Sequence, residues 1–281
     1  MLLPTVLILL SAILHVSWNM LMKRGGDKLV TAWTLDLVTP VLLWPLLFVT
    51  GVPGPDVWPV IAVSGVVHAA STLALVGAYE RADLSVAYPV ARGLAPVLVA
   101  LGAGAVLGER LSLPAMSGVL AVSVGVAWLG LSARRVGGSL AGLAWAATMA
   151  TLIATYSIVD KIGVTRAHPV AFAIVFMAWD SALLTPYVLL RRGTRRIWEV
   201  FQGEWLPIIA SSIMGLVGYL LILVALRLTE VSYVATLREI SVVLAAIVGW
   251  RVLKEPVGLL RVAAAALAAA GLVTLSLAHG R

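Results

Sequence analysis

The chain of 281 residues is 61% hydrophobic and 12% charged, with a mean hydropathy of +1.04, which leaves too little polar surface for a soluble fold of this size. Its formal net charge of +7 comes from basic residues in separate loops that form no continuous basic face, so they read as topology signals and argue against a nucleic-acid partner. The absence of cysteine excludes disulfides, thiolate metal sites and cysteine catalysis.

A bilayer crossing needs about 20 apolar residues. Ten such stretches follow one another at 3–22, 30–50, 56–78, 84–107, 114–131, 139–159, 169–190, 205–226, 231–253 and 257–278, predicting an all-α membrane protein of ten transmembrane helices. Only short connections remain, with no room for a soluble catalytic or nucleotide-binding domain. The Met-Leu-Leu-Pro start has no basic region, and its apolar run is longer than that of a cleaved signal peptide, so it is kept as span 1.

Span 1 places His15, Trp18, Asn19 and Met22 on one stripe. Their polar members avoid lipid either by lining a cavity or by bonding to neighbouring helices. Span 2 carries Trp33 and Asp36, and span 3 a lone histidine, His68, expected to be a satisfied packing residue. In span 4, Arg92 lies between Pro89 and Pro96 with Gly93 adjacent. This pattern predicts a broken helix whose freed backbone groups line a cavity, with Tyr88 one turn away on the same face. Gly102 to Gly108 has the spacing G-x-G-x-x-x-G inside an apolar span with no strand before it, so it is not a dinucleotide loop. Glu109 and Arg110 close span 4, as Lys254 and Glu255 close span 9; these read as interfacial pairs or cap partners.

Span 5 has a stripe of small residues at Ser117, Ala121 and Gly125, and span 10 another from Ala263 to Gly271, suited to close helix packing or to a dimer face. Span 7 holds Trp179 and Asp180, and span 9 holds Arg238 and Glu239. Trp44, Trp58 and Trp205 lie near span ends, where they act as interfacial anchors. A charge inside a span costs several kcal/mol by most scales and faces the bundle interior. Arg92, Arg238, Asp36, Asp180 and Glu239 are therefore site candidates, with the three carboxylates serving either in proton coupling or in internal ion pairs.

Residues 80–131 and 226–277 are one segment written twice at an offset of 146. Arg81 matches Arg227, Arg92 matches Arg238, Glu109 matches Glu255, and Gly125 matches Gly271. Trp33, Thr39 and Pro40 match Trp179, Thr185 and Pro186 at the same offset. The chain thus divides into units 1–133 and 134–281 of five spans each. An odd span number gives the two units opposite orientation, as in an inverted repeat. A pseudo-two-fold axis would bring Arg92 and Arg238 to the centre, to grip a carboxylate, phosphate or phosphonate or to neutralise the internal carboxylates.

His15-Val-Ser-Trp18-Asn19, followed by Lys23-Arg24-Gly-Gly-Asp27-Lys28, and Arg81-Ala-Asp83-Leu-Ser85-Val-Ala-Tyr88-Pro89-Val-Ala-Arg92-Gly93-Leu-Ala-Pro96 with Gly108-Glu109-Arg110 resemble the EamA-type carriers of the drug/metabolite transporter superfamily over nearly the whole chain. The resemblance implies a plasma (inner) membrane, multi-pass carrier with a small-molecule substrate and no cofactor, present as a monomer or homodimer; its superfamily contains exporters as well as importers and exchangers. The Asp-Leu-Ser-x-x-Tyr-Pro-x-Ala-Arg-Gly variant is also similar to a subgroup associated with phosphonate use. The expected function is a secondary carrier that moves a small polar metabolite with an anionic group by alternating access, through Arg92, Arg238, Tyr88, His15, Trp18, Asn19 and Trp179. The alternative is a flippase for a lipid headgroup or lipid-linked intermediate on the same scaffold. No metallohydrolase, acyl-enzyme or Walker motif is present, which argues against an enzyme or an ATP-driven pump.

Lysines and arginines at odd-numbered loops number 12 against 5 on the opposite side, so the positive-inside rule places both termini outside. Reporter fusions at Arg281 and within 191–196 are expected to read external and cytoplasmic respectively. The usual family topology has cytoplasmic termini, and a cytoplasmic signal at Arg281 would restore it.

Overall fold

The computed structural model describes residues 2–24, 27–81, 84–132, 140–251 and 259–279. Within them, the side chains at 22–24, 77–81, 84–89, 130–132, 140–143, 245, 248–251, 259 and 261 fall outside the description. The described residues contain helices and turns and no strand. In chain order the helices are α1 (Leu2–Arg24), α2 (Lys28–Leu43), the short α3 (Leu47–Thr50) reached through a 3-10 turn at Trp44–Leu46, α4 (Trp58–Arg81), α5 (Leu84–Val106), α6 (Leu113–Ser132), α7 (Leu140–Arg166), α8 (Pro169–Leu228), α9 (Val231–Leu237), α10 (Ile240–Arg251) and α11 (Leu259–His279).

Two expected spans, 169–190 and 205–226, fall within the 60 residues of α8, and a third, 231–253, is divided between α9 and α10. The element count therefore differs from ten. The stretch that joins the two halves of α8 is itself helix-compatible, with Arg195 and Arg196 pairing with Glu199 at one turn's spacing. Its path breaks at Gly193 (φ 70, ψ 158) and Glu204 (φ −134, ψ 20). By length and composition, five helical segments among the described residues can cross a membrane, and Val90–Val106 and Leu113–Leu129 are shorter apolar helices. Large apolar side chains such as Leu2, Phe48, Val49, Leu113 and Leu190 face outward, as lipid requires. The helical backbone meets its own hydrogen-bonding needs.

The two small-residue stripes meet each other inside the chain. A Cβ added at Gly118 would lie 2.8 Å from Gly271 O, and one at Gly125 would lie 2.8 Å from Ala264 O and 2.6 Å from Ala268 N. A Cβ at Gly271 would meet Gly118 O and Val122 N, each at 2.7 Å. Replacing each residue by its partner 146 positions away converts the Gly118–Gly271 contact into Ala264–Gly125, and the Val122–Gly271 contact into Ala268–Gly125. Both are observed. α6 and α11 are therefore antiparallel and packed symmetrically, the signature of a two-fold relation between the halves. Ser117 is exposed and Gly118 takes the buried place expected for it.

α5 corrects another expectation. It is helical through Pro89, Gly93 and Pro96. Each proline removes a single N–H, and α5 absorbs the loss because it is held between α6 and α7. Gly93 serves that packing: a Cβ there would stand 2.7 Å from Ser123 O and 2.8 Å from Ala127 Cβ. The interruption lies in the matching helix of the other half, between α9 and α10, where Glu239 N–H bonds Thr236 O and Ser241 N–H bonds Arg238 O, each at 3.1 Å.

Backbone meets backbone in the α6–α11 seam, so no side-chain rotation can relieve an added methyl. Gly125→Ala is expected to destabilise the protein by about 1–3 kcal/mol, measured by melting in detergent. Gly203→Ala has open space around it and should be neutral or gain up to about 1 kcal/mol of helix propensity. Equal melting of the two variants would contradict this packing.

Candidate functional site

The turn after α5 builds one wall of the site. Gly108 takes a left-handed φ of 71, which lets Glu109 N–H close back on Ala103 O at 3.2 Å. This presents the Glu109 carboxylate to the start of α9, where it accepts from Val231 N–H (2.7 Å), Ser232 N–H (3.1 Å) and Ser232 Oγ (2.6 Å). A carboxylate from the first half thus caps a helix of the second, at the end where the helix dipole favours negative charge. Glu109 is a cap partner, though of a helix in the other half and not of the turn into the next span that the sequence reading implies; Glu255 lies outside the described residues. Lys161 does the complementary work at the end of α8, donating to Leu226 O at 2.6 Å and Thr229 O at 3.0 Å. Between these two caps opens a cleft of about 500 Å³ that Arg166, Arg227 and Glu230 also line.

The tight turn joining α9 to α10 sends Arg238 and Glu239 in different directions. Glu239, 2% exposed, meets Arg92, 4% exposed. Arg92 Nε stands 3.2 Å from Glu239 Oε2, a contact of charges without hydrogen-bond alignment, and Arg92 Nη2 donates to Ser241 Oγ at 3.3 Å. Arg238 lies with its guanidinium carbon 6.0 Å from the centre of the Tyr219 ring, within cation–π range. It has no ion pair with any described residue. The sequence pattern, with Pro89, Gly93 and Pro96 around Arg92 and Glu239 beside Arg238, suggests the opposite division, with Arg92 open to a ligand and Arg238 engaged by its neighbour. Adjacent residues on a helix point about 100° apart, and the turn widens the divergence, so Glu239 reaches across to the other half.

Tyr219 leads to a cluster the sequence reading missed. Its hydroxyl donates to Asp160 Oδ2 and lies 3.1 Å from His68 Nε2. Asp160, fully buried, also accepts from Ser64 Oγ at 2.6 Å and meets His68 Nε2 at 3.0 Å. His68 stacks on Tyr156 with ring centres 4.4 Å apart. Tyr156, Ser157, Tyr219 and Arg238 then border one narrow crevice. The apolar stretch 139–159 stops just before the charged pair Asp160-Lys161, so the hydropathy pattern leaves Asp160 outside the span. α7 continues to Arg166, and the 3–4 spacing of Tyr156, Asp160 and Gly163 along it was the available signal.

The other candidates divide. His15 is near enough to feel the charges of both Arg92 and Arg238, and its ring meets Trp18 edge-on at 5.2 Å. Asn19 Nδ2 donates to His15 O of its own helix at 2.8 Å. Asp36 and Asp180 lie close to each other on α2 and α8, and neither makes an ion pair with a described arginine. Trp179 is half-exposed, against Gly65. The Tyr88 side chain lies outside the described residues. Among those residues, no three His, Cys, Asp or Glu side chains are grouped to hold a metal ion.

The model of the EamA-like transporter family matches residues 2–131 and 140–277. A solved structure titled "Crystal structure of protein" is similar over 98% of this chain and 96% of its own, with a TM-score of 0.77 and 22% identity, a likeness of fold. No curated protein matches.

Arg92→Ala is expected to cost about 3–5 kcal/mol, the usual penalty for stranding one member of a buried pair, and to lower the melting temperature in detergent. Replacing both partners, Arg92→Met with Glu239→Leu, should recover most of that loss. A double variant less stable than the single would show that the pair is not the main role of Arg92.

Proposed function

From the chain's membership of the EamA-like transporter family, which the match to both of its halves establishes, we propose that this membrane protein is a secondary carrier moving a small polar metabolite with an anionic group. In this reading α2 with α3 forms one span, α8 two, and α9 with α10 one. That gives ten spans in two inverted five-helix halves, which rock about a central site and cross the plasma membrane. The observation that carries the proposal is the position of Arg238. Of the two repeat-matched arginines it is the one that makes no ion pair with a described residue, and it sits at a helix interruption, as transporter sites do.

A guanidinium inside a bundle is costly to leave without a counter-charge, and a substrate carboxylate, phosphate or phosphonate supplies one in bidentate geometry. Tyr219 supports the Arg238 side chain through its ring face, and the Asp160–His68 cluster fixes Tyr219 in turn. His15 and Trp18 approach from α1. Arg92 serves the site from behind, by neutralising Glu239 so that this carboxylate does not compete for Arg238. Alternating access between the halves then needs no bound nucleotide, since the substrate gradient or an exchanged ion supplies the driving force.

A thermal-shift screen in detergent against amino acids, phosphonates, sugar phosphates and cationic drugs tests the reading. An anionic solute at about 100 times its Kd should stabilise the wild type by about 2.7 kcal/mol, and the shift should vanish in Arg238→Ala. The proposal fails if only cations stabilise the protein, or if the anion's effect survives in Arg238→Ala. Saturable stabilisation by a phospholipid headgroup would favour the flippase reading.

A further inference from the structure

α2 and the first part of α8 carry the same pattern, a tryptophan followed six residues later by Thr-Pro. Trp33 with Thr39-Pro40 and Trp179 with Thr185-Pro186 occupy matched positions 146 apart. The two helices are antiparallel. Asp27, which caps α2, pairs with Arg192 Nε at 2.7 Å, and Trp33 Nε1, further along α2, donates to Thr185 Oγ1 at 2.9 Å. Partners on α8 thus recede as α2 advances. Six residues beyond Trp33 is Thr39, and six before Thr185 is Trp179, so these two stand at one level on facing helices.

The second pair has not formed the bond that the first has made. Thr185 gives its own hydroxyl proton to Ser181 O at 2.6 Å and accepts from Trp33. Thr31 and Thr34 likewise bond the carbonyl one turn back, at 2.9 Å and 2.8 Å, the common habit of helical threonine. Thr39 departs from it: the residue is 0% exposed, and its Oγ1 is buried with no hydrogen-bond partner among the described residues. Buried hydroxyls are normally satisfied. Trp179, which in the matched geometry would donate to it, is 46% exposed, and its ring lies against Gly65, where an added Cβ would come within 2.5 Å of Trp179 Cδ1.

We propose that the two patterns form an exchanging latch. The Trp33–Thr185 bond holds the seam in the conformation described, and in the opposite state of the carrier it is replaced by a Trp179–Thr39 bond. The inference rests on the carrier reading for the existence of two states related by exchange of the halves. Inverted halves rock against one another between states, a motion that can trade a contact for its repeat equivalent, and the orphaned hydroxyl of Thr39 is the acceptor that such a trade requires. Pro40 and Pro186 follow the two threonines and remove the helix bonds to the carbonyls of Asp36 and Ala182, which eases bending at the level where the seam must rearrange. On this account Trp179 is a conformational residue and not a wall of the substrate site.

Protein labelled with 15N at the tryptophan indoles, in detergent micelles without added solute, provides the test; Trp33→Phe and Trp179→Phe assign the two signals. Thr185→Val removes the acceptor of the observed bond, and Trp33→Phe removes its donor with little change in shape. A net hydrogen bond of ordinary strength corresponds to a change of about two- to tenfold in the ratio of states. In both variants the Trp179 indole N–H should move towards a hydrogen-bonded shift and exchange more slowly with D2O, and adding Thr39→Val should abolish both changes. A Trp179 signal unmoved in both variants, or moved regardless of Thr39→Val, overturns the latch. The anion screen is a separate measurement, so either idea can fail without the other.

Discussion

A guanidinium and a carboxylate that neither water nor lipid can solvate constrain the rest of the molecule. Arg92 comes from the first half and Glu239 from the second, both almost wholly buried, and each offsets the cost of the other's charge inside the bundle. Their meeting fixes how the halves face one another at the centre. It also leaves Arg238, the repeat partner of Arg92, beside an aromatic ring and without an ion pair among the described residues. The duplication placed two arginines at equivalent positions, and the turn after α9 made them inequivalent.

Around that centre the halves are joined through contacts that need no rare chemistry. Backbone lies on backbone where Gly118, Gly125 and Gly271 allow α6 and α11 to touch. In a lipid environment, where apolar burial gives little drive to helix association, such close approach supplies the packing energy. Glu109 and Lys161 satisfy helix ends that would otherwise expose unpaired amides and carbonyls. Glu109 holds the start of α9 against the turn after α5, and Lys161 ties α7 to the end of α8 just before it, which together place α9 and the Arg238 that follows it near Tyr219.

Much of this could be read from the sequence, for reasons that can be stated. Long apolar runs reveal helices because lipid filters out other backbones, and the gapless 146-residue offset exposed the pairing of Arg92 with Arg238 and of the α6 and α11 stripes. What escaped was tertiary. Nothing near Arg238 marks an interruption, because the turn there is formed by packing and by the pull of Glu239 towards Arg92, whereas the prolines of α5 advertised a break that neighbouring helices suppress. Asp160 was hidden by Lys161 beside it, since adjacent charges look like a loop when the ammonium is in fact capping α8. His68 is satisfied, as its solitary place in span 3 implied, but its partners come from 92 and 151 residues away, a separation no local pattern reveals.

The central claim is transport without chemical change. Purified protein reconstituted into liposomes, with a radiolabelled anionic solute outside and an excess of the same unlabelled solute inside, measures it directly. The account predicts rapid, saturable counterflow that recovers the solute chemically intact, with no requirement for ATP and near-background flux in Arg238→Ala liposomes of equal protein content. Solute that binds but never enters, or that is recovered chemically altered, would contradict it.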